Sequence, residues 1–355
     1  MARFSTSSQT IKAAMSLKGI AKQLGLSITT VSRALNGYSD VSQETRERIT
    51  AEANRLGYRP NAMARRLKMG KIDAVGLVYP SRLRVLNNAA FLAMIGSISA
   101  ELSEQGVDLL LVSDDIDDNR HSFIRLIESC RVDALIVAHT EDDDGRLNYL
   151  SQHHLPFLAL GRSNLAQPYA WFDFDNRMGS LLAVKRLAAL GHQRIAFLGS
   201  SHRQTFVKQR LQGYLDGVKE CGLTVNSDYI KQAEPNRRDG FLATQKLLAL
   251  EQPPTAIITD CNVHGDGTAN ALERAGVLGR NGVSLIVYDG LPDDSLINIS
   301  VTPIVQATRE KVGKQIADMT LALIAGNAVE SLQVLWQPVL GIGDTDNPPA
   351  DTPVY

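Results

Sequence analysis

The chain has 355 residues, 44% hydrophobic and 21% charged, a composition typical of globular proteins whose length predicts two or three domains. Three scattered cysteines, Cys130, Cys221 and Cys261, exclude a disulfide framework and fit a reducing cytosol, while the lack of any long apolar run excludes a secretory signal and a membrane span. The net charge of -1 hides an asymmetry, because residues 1–71 hold 13 Lys and Arg against 4 Asp and Glu, which predicts a polyanionic partner for this basic head.

The first predicted elements are three short helices. Each is preceded by a serine that can cap it, and two are followed by a glycine that can end them: Ser16, Ser27 and Ser42 at the starts, Gly25 and Gly57 at the ends. Two short helices with a third closing a core form a helix-turn-helix module, whose second helix enters the major groove of DNA. A plain helical pair and a solvated basic tail are the alternatives, and the charge over the same residues favours DNA binding.

A basic connector and an alternating pattern follow. Asn61 can cap a short helix that ends at Gly70, and from Ala74 apolar strand-like runs alternate with amphipathic helical segments. This pattern predicts parallel sheets covered on both faces. A second round of the pattern begins near "AWFDFDN", so we expect two similar α/β lobes. Ligands of such sheets bind beyond the carboxyl ends of the strands, which here carry polar, mostly small residues.

Enzymatic and metal-binding motifs are absent from the sequence. It contains no HExxH, GxSxG, P-loop or GxGxxG. The run "TEDDDG" looks like a calcium loop, but Thr140 stands at its first ligand position and Ser151 at its last. The acidic clusters at 114–118 and 141–144 are expected to be solvated loops. The sequence therefore predicts no catalytic residue, no metal and no cofactor.

The basic head resembles that of the lactose-repressor (LacI/GalR) family, through "TVSRALNG", "VSQETRERI", "LGYRPN" and "ARRL". In the body, "VDALIVA", "LGHQRIAFLG", "RLQGYLDGV" and "VSLIVYD" stand in the family's order, so the resemblance covers about residues 16–343. The phrase "LSITTVSRALNGYSDV" is similar to regulators of glycoside uptake in α-proteobacteria. The resemblance implies an all-α helix-turn-helix head, a hinge helix and a two-lobed, periplasmic-binding-protein-like sensor with parallel sheets.

Pattern and resemblance together divide the chain into five segments. These are a flexible segment 1–15, a helix-turn-helix domain 16–60, a hinge helix 61–71, an effector-binding domain 72–345 and a tail 346–355. Within the effector-binding domain we expect lobe 1 to span about 72–163 and 303–330, and lobe 2 about 164–302 and 331–345.

The resemblance implies DNA-contacting roles residue by residue. Ile28 and Thr29 would choose bases in the major groove, and Arg33 would read a base edge, commonly guanine. Leu67 would wedge between base pairs in the minor groove, although it could instead be a core residue of its helix. The other implied contacts hold phosphates or support these elements: Ser27, Thr30, Ser32, Asn36, Thr45, Asn61 and Arg65.

The resemblance also implies an effector site in the body. Arg210 matches the arginine that grips the effector, Asp289 its binding aspartate, and Phe91 an aromatic over the ligand. Arg162 and Asp175 would border the cleft, and Cys261 with Asn262 replace a usual Asn-Asp pair. Charged groups and aromatic rings together suit a polyhydroxylated ligand, although any one of these residues could be an ordinary surface ion-pair member.

The resulting expectation is a cytoplasmic transcriptional regulator, and specifically a repressor rather than an enzyme. A homodimer would bind pseudo-palindromic double-stranded operator DNA, and a sugar or glycoside between the lobes would control its affinity. The alternative is a solute-binding receptor without DNA regulation. That alternative predicts an export signal and no basic head, and the sequence shows the reverse.

Overall fold

A computed structural model describes residues 16–35, 38, 40–58, 72–80, 86, 88–114, 122–280 and 282–350. The chain divides into two compact units between Ile72 and Asp73. The predicted hinge helix, 61–71, lies outside the described residues, as do Asn36, Asn61, Arg65 and Leu67.

The first unit contains the three predicted helices: α1 Leu17–Leu24, α2 Ile28–Leu35 and α3 Gln43–Arg55. The predicted serine caps are confirmed, since each serine Oγ accepts a hydrogen bond from the backbone N–H three residues on, at 3.1, 3.0 and 3.4 Å. Each helix buries an aliphatic side chain in a shared core, namely Ile20, Val31 and Ile49. The outer faces of the short helices therefore stay polar and accessible.

The second unit consists of two α/β lobes. The strands of lobe 1 are β1 Ala74–Pro80, β2 Asp108–Asp114, β3 Ala134–Val137, β4 Phe157–Leu160, β5 Ala170–Phe174 and β11 Gln333–Trp336. Its helices are α4 Ala89–Glu104, α5 Ser122–Glu128, α6 Gly145–Gln152 and α11 Arg309–Ile324. The sheet order is β11-β5-β4-β3-β1-β2, and all its pairings are parallel.

Lobe 2 repeats this arrangement. Its strands are β6 Ile195–Ser200, β7 Ile230–Ala233, β8 Ala256–Thr259, β9 Ser284–Tyr288, β10 Thr302–Val305 and β12 Val339–Leu340. Its helices are α7 Asn176–Ala189, α8 Thr205–Glu220, α9 Arg237–Leu248 and α10 Asn262–Arg274. The order is β12-β10-β9-β8-β6-β7, with only β12 antiparallel. None of the described helices combines the length and apolar composition needed to span a bilayer.

The observed lobe boundaries differ from the expected ones. Strand β5 pairs with β4 in lobe 1, so "AWFDFDN" ends the first round rather than opening the second. Strand β10 belongs to lobe 2 and β11 to lobe 1, so the chain passes between the lobes after Phe174, Val305 and Trp336. Apolar runs of similar length and composition predict strands, but they do not say which sheet provides the hydrogen-bonding partner.

The expectation of a solvated acidic loop at 141–144 is wrong. Asp144 caps α6 and forms a fully buried ion pair with Arg146 at 2.7 Å. Asp142 forms an ion pair with Lys208 of lobe 2. Asp114, from the other acidic cluster, is also buried, at 2% exposed, and accepts a hydrogen bond from the backbone of Ser122. Acidic residues near turns look solvated in sequence because their cationic partners lie elsewhere in the chain.

Candidate functional site

The predicted base-reading residues lie on the exposed side of α2. Ile28 is 43% exposed, although large aliphatic side chains are usually buried, and Thr29 beside it is exposed. Val31 and Ala34 are buried on the opposite side. Thr30 is occupied locally, because its hydroxyl lies 2.8 Å from that of Ser27. The two side chains at the start of α2 are thus accessible to a DNA groove, while the rest of the helix holds them in place.

Arg33 is held at the other end of α2. Its guanidinium forms an ion pair with Asp40 at 2.7 Å and lies over the Tyr38 ring at 4.9 Å, which leaves its buried Nε without a partner among the described residues. Reading a base edge would require the terminal nitrogens to share or leave Asp40. Thr45 lies in the first turn of α3, bonded to Ser42, where helix N–H groups suit a phosphate.

In the second unit, Arg210 of α8 lies at the carboxyl ends of the lobe 2 strands β8 and β9. It is 6% exposed, its Nε donates to the Asn176 side chain at 2.9 Å, and its Nη1 donates to the carbonyl of Asp260. The guanidinium also lies 3.8 Å from the centre of the Tyr288 ring. Its Nη2 has no hydrogen-bond partner in the described part of the chain. These contacts fix the arginine and leave one donor for a ligand.

Asp289 provides the matching acceptor. It follows β9 with a left-handed backbone, φ 62°, which is rare for a residue other than glycine and concentrates at functional sites. Its carboxylate has no hydrogen-bond or ion-pair partner among the described residues. Burial removes water from the Asp289 carboxylate and raises its pKa, and the positive charge of Arg210 opposes that rise. Both groups can therefore serve one ligand.

Lobe 1 contributes an aromatic wall. Phe91 packs edge-on against His139 at 5.0 Å, and His139 lies 5.9 Å from Phe206 of lobe 2. His139 also has a positive φ, 54°. Burial, together with the charges of Arg146 and His202, lowers the pKa of His139 to about 4, so it is neutral at pH 7. The wall offers rings rather than charge.

Arg162, which was expected to border the cleft, forms an ion pair with Asp173. The two are 2.9 Å apart, and burial raises the pKa of Asp173 against the opposing effect of Arg162. Asp175 accepts a hydrogen bond from the Met178 N–H and caps α7, next to Asn176, whose side chain accepts from Arg210. Period-2 alternation in "FDFD" assigns both aspartates to the same face of the strand, so the sequence does not show which of them pairs with Arg162.

Cys261 and Asn262 lie where β8 meets α10, next to the Asp260 carbonyl that holds Arg210. Asp260, Cys261 and His264 place their ligand atoms within 4.8 Å of one another, a donor set suited to zinc. Both His264 nitrogens are already bonded, to Asp260 at 3.0 Å and to the Glu234 carbonyl at 2.8 Å. Burial opposes protonation, but Cys261 and Asp260 outweigh it and raise the pKa of His264. A buried ion pair accounts for the cluster.

The two lobes also touch beside the cleft. The Thr205 N–H donates to the Thr140 carbonyl at 2.9 Å. Glu141 and Gln204 form an isolated antiparallel β-bridge through their backbones. The Asp142–Lys208 ion pair reinforces this contact. Sequence reasoning missed these residues, as it missed His139, Asp173, Phe206 and Tyr288, because their roles depend on a partner in the other lobe or on an adjacent strand.

Comparison with known proteins gives matches over both units. Residues 16–61 match the family described as bacterial regulatory proteins, lacI family, and residues 72–339 match periplasmic binding proteins and sugar binding domain of LacI family. The Escherichia coli transcriptional regulator RafR is 51% identical, over 95% of this chain and 100% of that protein. The Rhizobium meliloti regulator AglR is 30% identical, over 95% and 96%.

Solved structures agree with the fold. A transcriptional regulator from Yersinia pestis is 58% identical with a TM-score of 0.75, over 78% of this chain and 99% of that one. The Lac repressor dimer bound to operator and an anti-inducer is 23% identical with a TM-score of 0.80, over 94% and 99%.

These matches bear on three expectations. The Escherichia coli relative is more similar than the Rhizobium one, so an α-proteobacterial subgroup is not singled out. The lacI-family match over the head contradicts a receptor without DNA binding, and the related proteins are regulators rather than enzymes. The chain belongs to the LacI family of bacterial DNA-binding transcriptional regulators, with a helix-turn-helix head and a two-lobed effector-binding domain.

Proposed function

We propose that this protein is a cytoplasmic repressor that binds a pseudo-palindromic operator as a homodimer. A neutral sugar or glycoside in the cleft changes its operator affinity. Ligand binding between the lobes favours one lobe arrangement, and coupling of this kind is typically worth about 1–3 kcal/mol. The proposal also includes membership of the glycoside-responsive subgroup of these regulators.

The pairing of Arg210 with Asp289 carries the proposal. Arg210 keeps one donor, Nη2, and Asp289 keeps an unpaired carboxylate, so together they can accept and donate to adjacent hydroxyl groups. Phe91, half-buried beside His139, supplies a ring surface for the apolar face of a sugar. Because the cation and the anion balance, a neutral ligand suits the site better than a charged one.

Two observations support the homodimer. Lobe 1 exposes three leucines, Leu92 of α4 and Leu110 and Leu111 of the edge strand β2, at 45%, 36% and 46%, and an apolar edge strand invites pairing with another chain. The Lac repressor, which shares the fold, was solved as a dimer on its operator.

The test separates effector binding from DNA binding. Arg210→Ala and Asp289→Ala should each weaken effector binding by roughly 1–3 kcal/mol or more, because a hydroxyl or a charge is left unpaired. Operator affinity without effector should stay unchanged, because the head is a separate unit. Calorimetry against saccharides and a gel shift on the operator measure the two properties. Arg177→Ala, an exposed arginine of α7, is the matched control and should change neither.

Two results would contradict this function. If no saccharide binds the wild-type protein, the effector class is wrong. If saccharides bind and both variants keep wild-type affinity, the assigned cleft residues are wrong, and the segment around Cys261 becomes the better candidate.

A further inference from the structure

A pocket open to solvent lies between lobe 1 and helix α8 of lobe 2. It has a volume of about 590 Å³, within the range of about 300–1,000 Å³ that holds small ligands. Lobe 1 contributes Arg162, Tyr169 and Trp171, and helix α8 of lobe 2 contributes Thr205, Lys208 and Gln209. We call this cavity the flank pocket.

Helix α8 serves the cleft and the flank pocket with two different faces. Phe206 and Arg210, four residues apart, lie on the cleft face. Thr205 and Gln209, also four apart, line the flank pocket. Thr205 and Gln209 each come one residue before a member of the cleft pair, and one residue turns a helix by about 100°. The pocket is therefore distinct from the space between Arg210 and Asp289, neither of which lines it.

The flank pocket contains two unsatisfied polar atoms. Thr205 is 8% exposed, and its Oγ1 has no hydrogen-bond partner among the described residues. The buried Oε1 of Gln209 likewise has none. Folded proteins rarely leave buried polar groups without partners, so each such atom needs an explanation. Two oxygens on one face of a helix can both accept hydrogen bonds from a ligand that carries several hydroxyl groups.

The charges around the pocket favour a neutral ligand. Lys208 is paired with Asp142, and Arg162 with Asp173 at 2.9 Å. The Arg162 guanidinium also lies 5.6 Å from the centre of the Trp171 ring. With its charges paired inside the protein, the pocket offers an indole, amide and hydroxyl groups, the combination that packs on and bonds a sugar ring.

We propose that the flank pocket binds a further ring of an oligosaccharide effector whose first ring lies at Arg210 and Asp289. This inference rests on the proposed function, because it extends the same ligand. Arg162 lines the flank pocket and pairs with Asp173, and the charge of Arg210 also acts on Asp173 and lowers its pKa, so the two subsites are close enough for one ligand. The proposal therefore restricts the effector to saccharides with at least two sugar rings.

Binding of two saccharide series tests the proposal. The probes are galactose, melibiose and raffinose, and glucose, maltose and maltotriose, each titrated by calorimetry into the full-length protein. In at least one series, affinity should rise tenfold or more from one ring to three. The double variant Thr205→Val with Gln209→Leu should lose that gain and keep the affinity for the single ring. Gln245→Leu, on the exposed side of α9, should keep the gain.

Fluorescence adds a readout at the pocket itself. The chain has two tryptophans, and the variant Trp336→Phe leaves only Trp171. The emission of Trp171 should shift with the longer saccharides and stay constant with the single ring.

The outcomes separate the two proposals. If none of the six saccharides binds, the proposed function fails and this inference fails with it. If the single rings bind as tightly as the longer saccharides, or if the double variant weakens every length equally, only the flank-pocket proposal is overturned.

Discussion

At the residue scale, the first helical turn of α2 should set operator preference. Ile28 offers only apolar contact, which suits a thymine methyl, and Thr29 offers a short hydroxyl. Exchanging the two, Ile28→Thr with Thr29→Ile, keeps the composition and exposes both groups at new positions. We expect a different preferred half-site, with little change in non-specific affinity, because phosphate contacts supply the latter.

Selection from a randomised operator library would measure this change. Thr50→Val, at an exposed position of α3, serves as the control and should return the wild-type sequence. Recovery of the wild-type sequence with the exchanged pair would show that the bases are read elsewhere.

A second residue-scale prediction concerns His139 and pH. The folded pKa of about 4 lies below the usual 6.5, so the unfolded chain takes up the proton first as the pH falls. Stability linked to His139 is therefore complete above pH 6.5 and decreases toward pH 4. One pKa unit corresponds to about 1.36 kcal/mol, so the loss between pH 7.5 and 5 should approach about 2 kcal/mol, less where cleft water screens the charge.

Urea unfolding at both pH values measures this loss, and His139→Asn isolates it. Asparagine tolerates the left-handed backbone of this position and does not titrate. The variant should be less stable than wild type at pH 7.5, because its ring contacts are gone, but should lose less stability on acidification. An equal loss in both proteins would assign the acid sensitivity to other groups.

At the element scale, the packing of α8 against α7 depends on Gly213. A Cβ there would lie 2.0 Å from the backbone oxygen of Arg177, so Gly213→Ala must push the helices apart. Overpacking of this kind typically costs about 1–3 kcal/mol. Because α8 also carries Arg210, effector affinity should fall as well.

The matched control is Gly145→Ala, since the space around that glycine is open. It should be neutral or slightly stabilising. Chemical denaturation measures the free energy of unfolding of both variants. Equal values would show that the two helices accommodate the added methyl group without loss of stability.

The elements themselves were largely predictable from the sequence. Three serines predict the starts of three helices, and the structure confirms all three caps: Ser16, Ser27 and Ser42. Arg210 and Asp289 were also predicted, through family resemblance, to share a site. What the sequence could not show is the partner of each group. Asp144 pairs with Arg146 inside the fold, whereas Asp173, and not Asp175, meets Arg162.

At the scale of the whole molecule, the sequence predicted two lobes but misplaced their boundaries. Each lobe takes a strand from beyond its main segment, β11 for lobe 1 and β12 for lobe 2. Such exchanges depend on long-range pairing, which local periodicity does not encode. Their consequence is that three chain passages join the lobes, so a ligand that changes the lobe arrangement acts on all three at once.

The last prediction concerns assembly of the molecule. Strand β2 forms an open edge of the lobe 1 sheet and exposes Leu110 and Leu111, with Leu92 exposed on α4. An apolar sheet edge left open invites pairing with another chain, and a two-fold contact places the same patch on both copies. A lysine there would bury an unpaired charge in the contact. Leu111→Lys should therefore yield monomers in light scattering after size-exclusion chromatography.

Loss of the dimer should weaken operator binding. Two linked heads bind two half-sites with an avidity of about 10²–10⁴ over one head, so Leu111→Lys should lose affinity in that range while single half-site binding stays unchanged. Val225→Lys is the matched control, because Val225 is 49% exposed against 46% for Leu111 and lies in lobe 2. If Leu111→Lys remains dimeric and binds the full operator as the control does, the two copies meet through another surface.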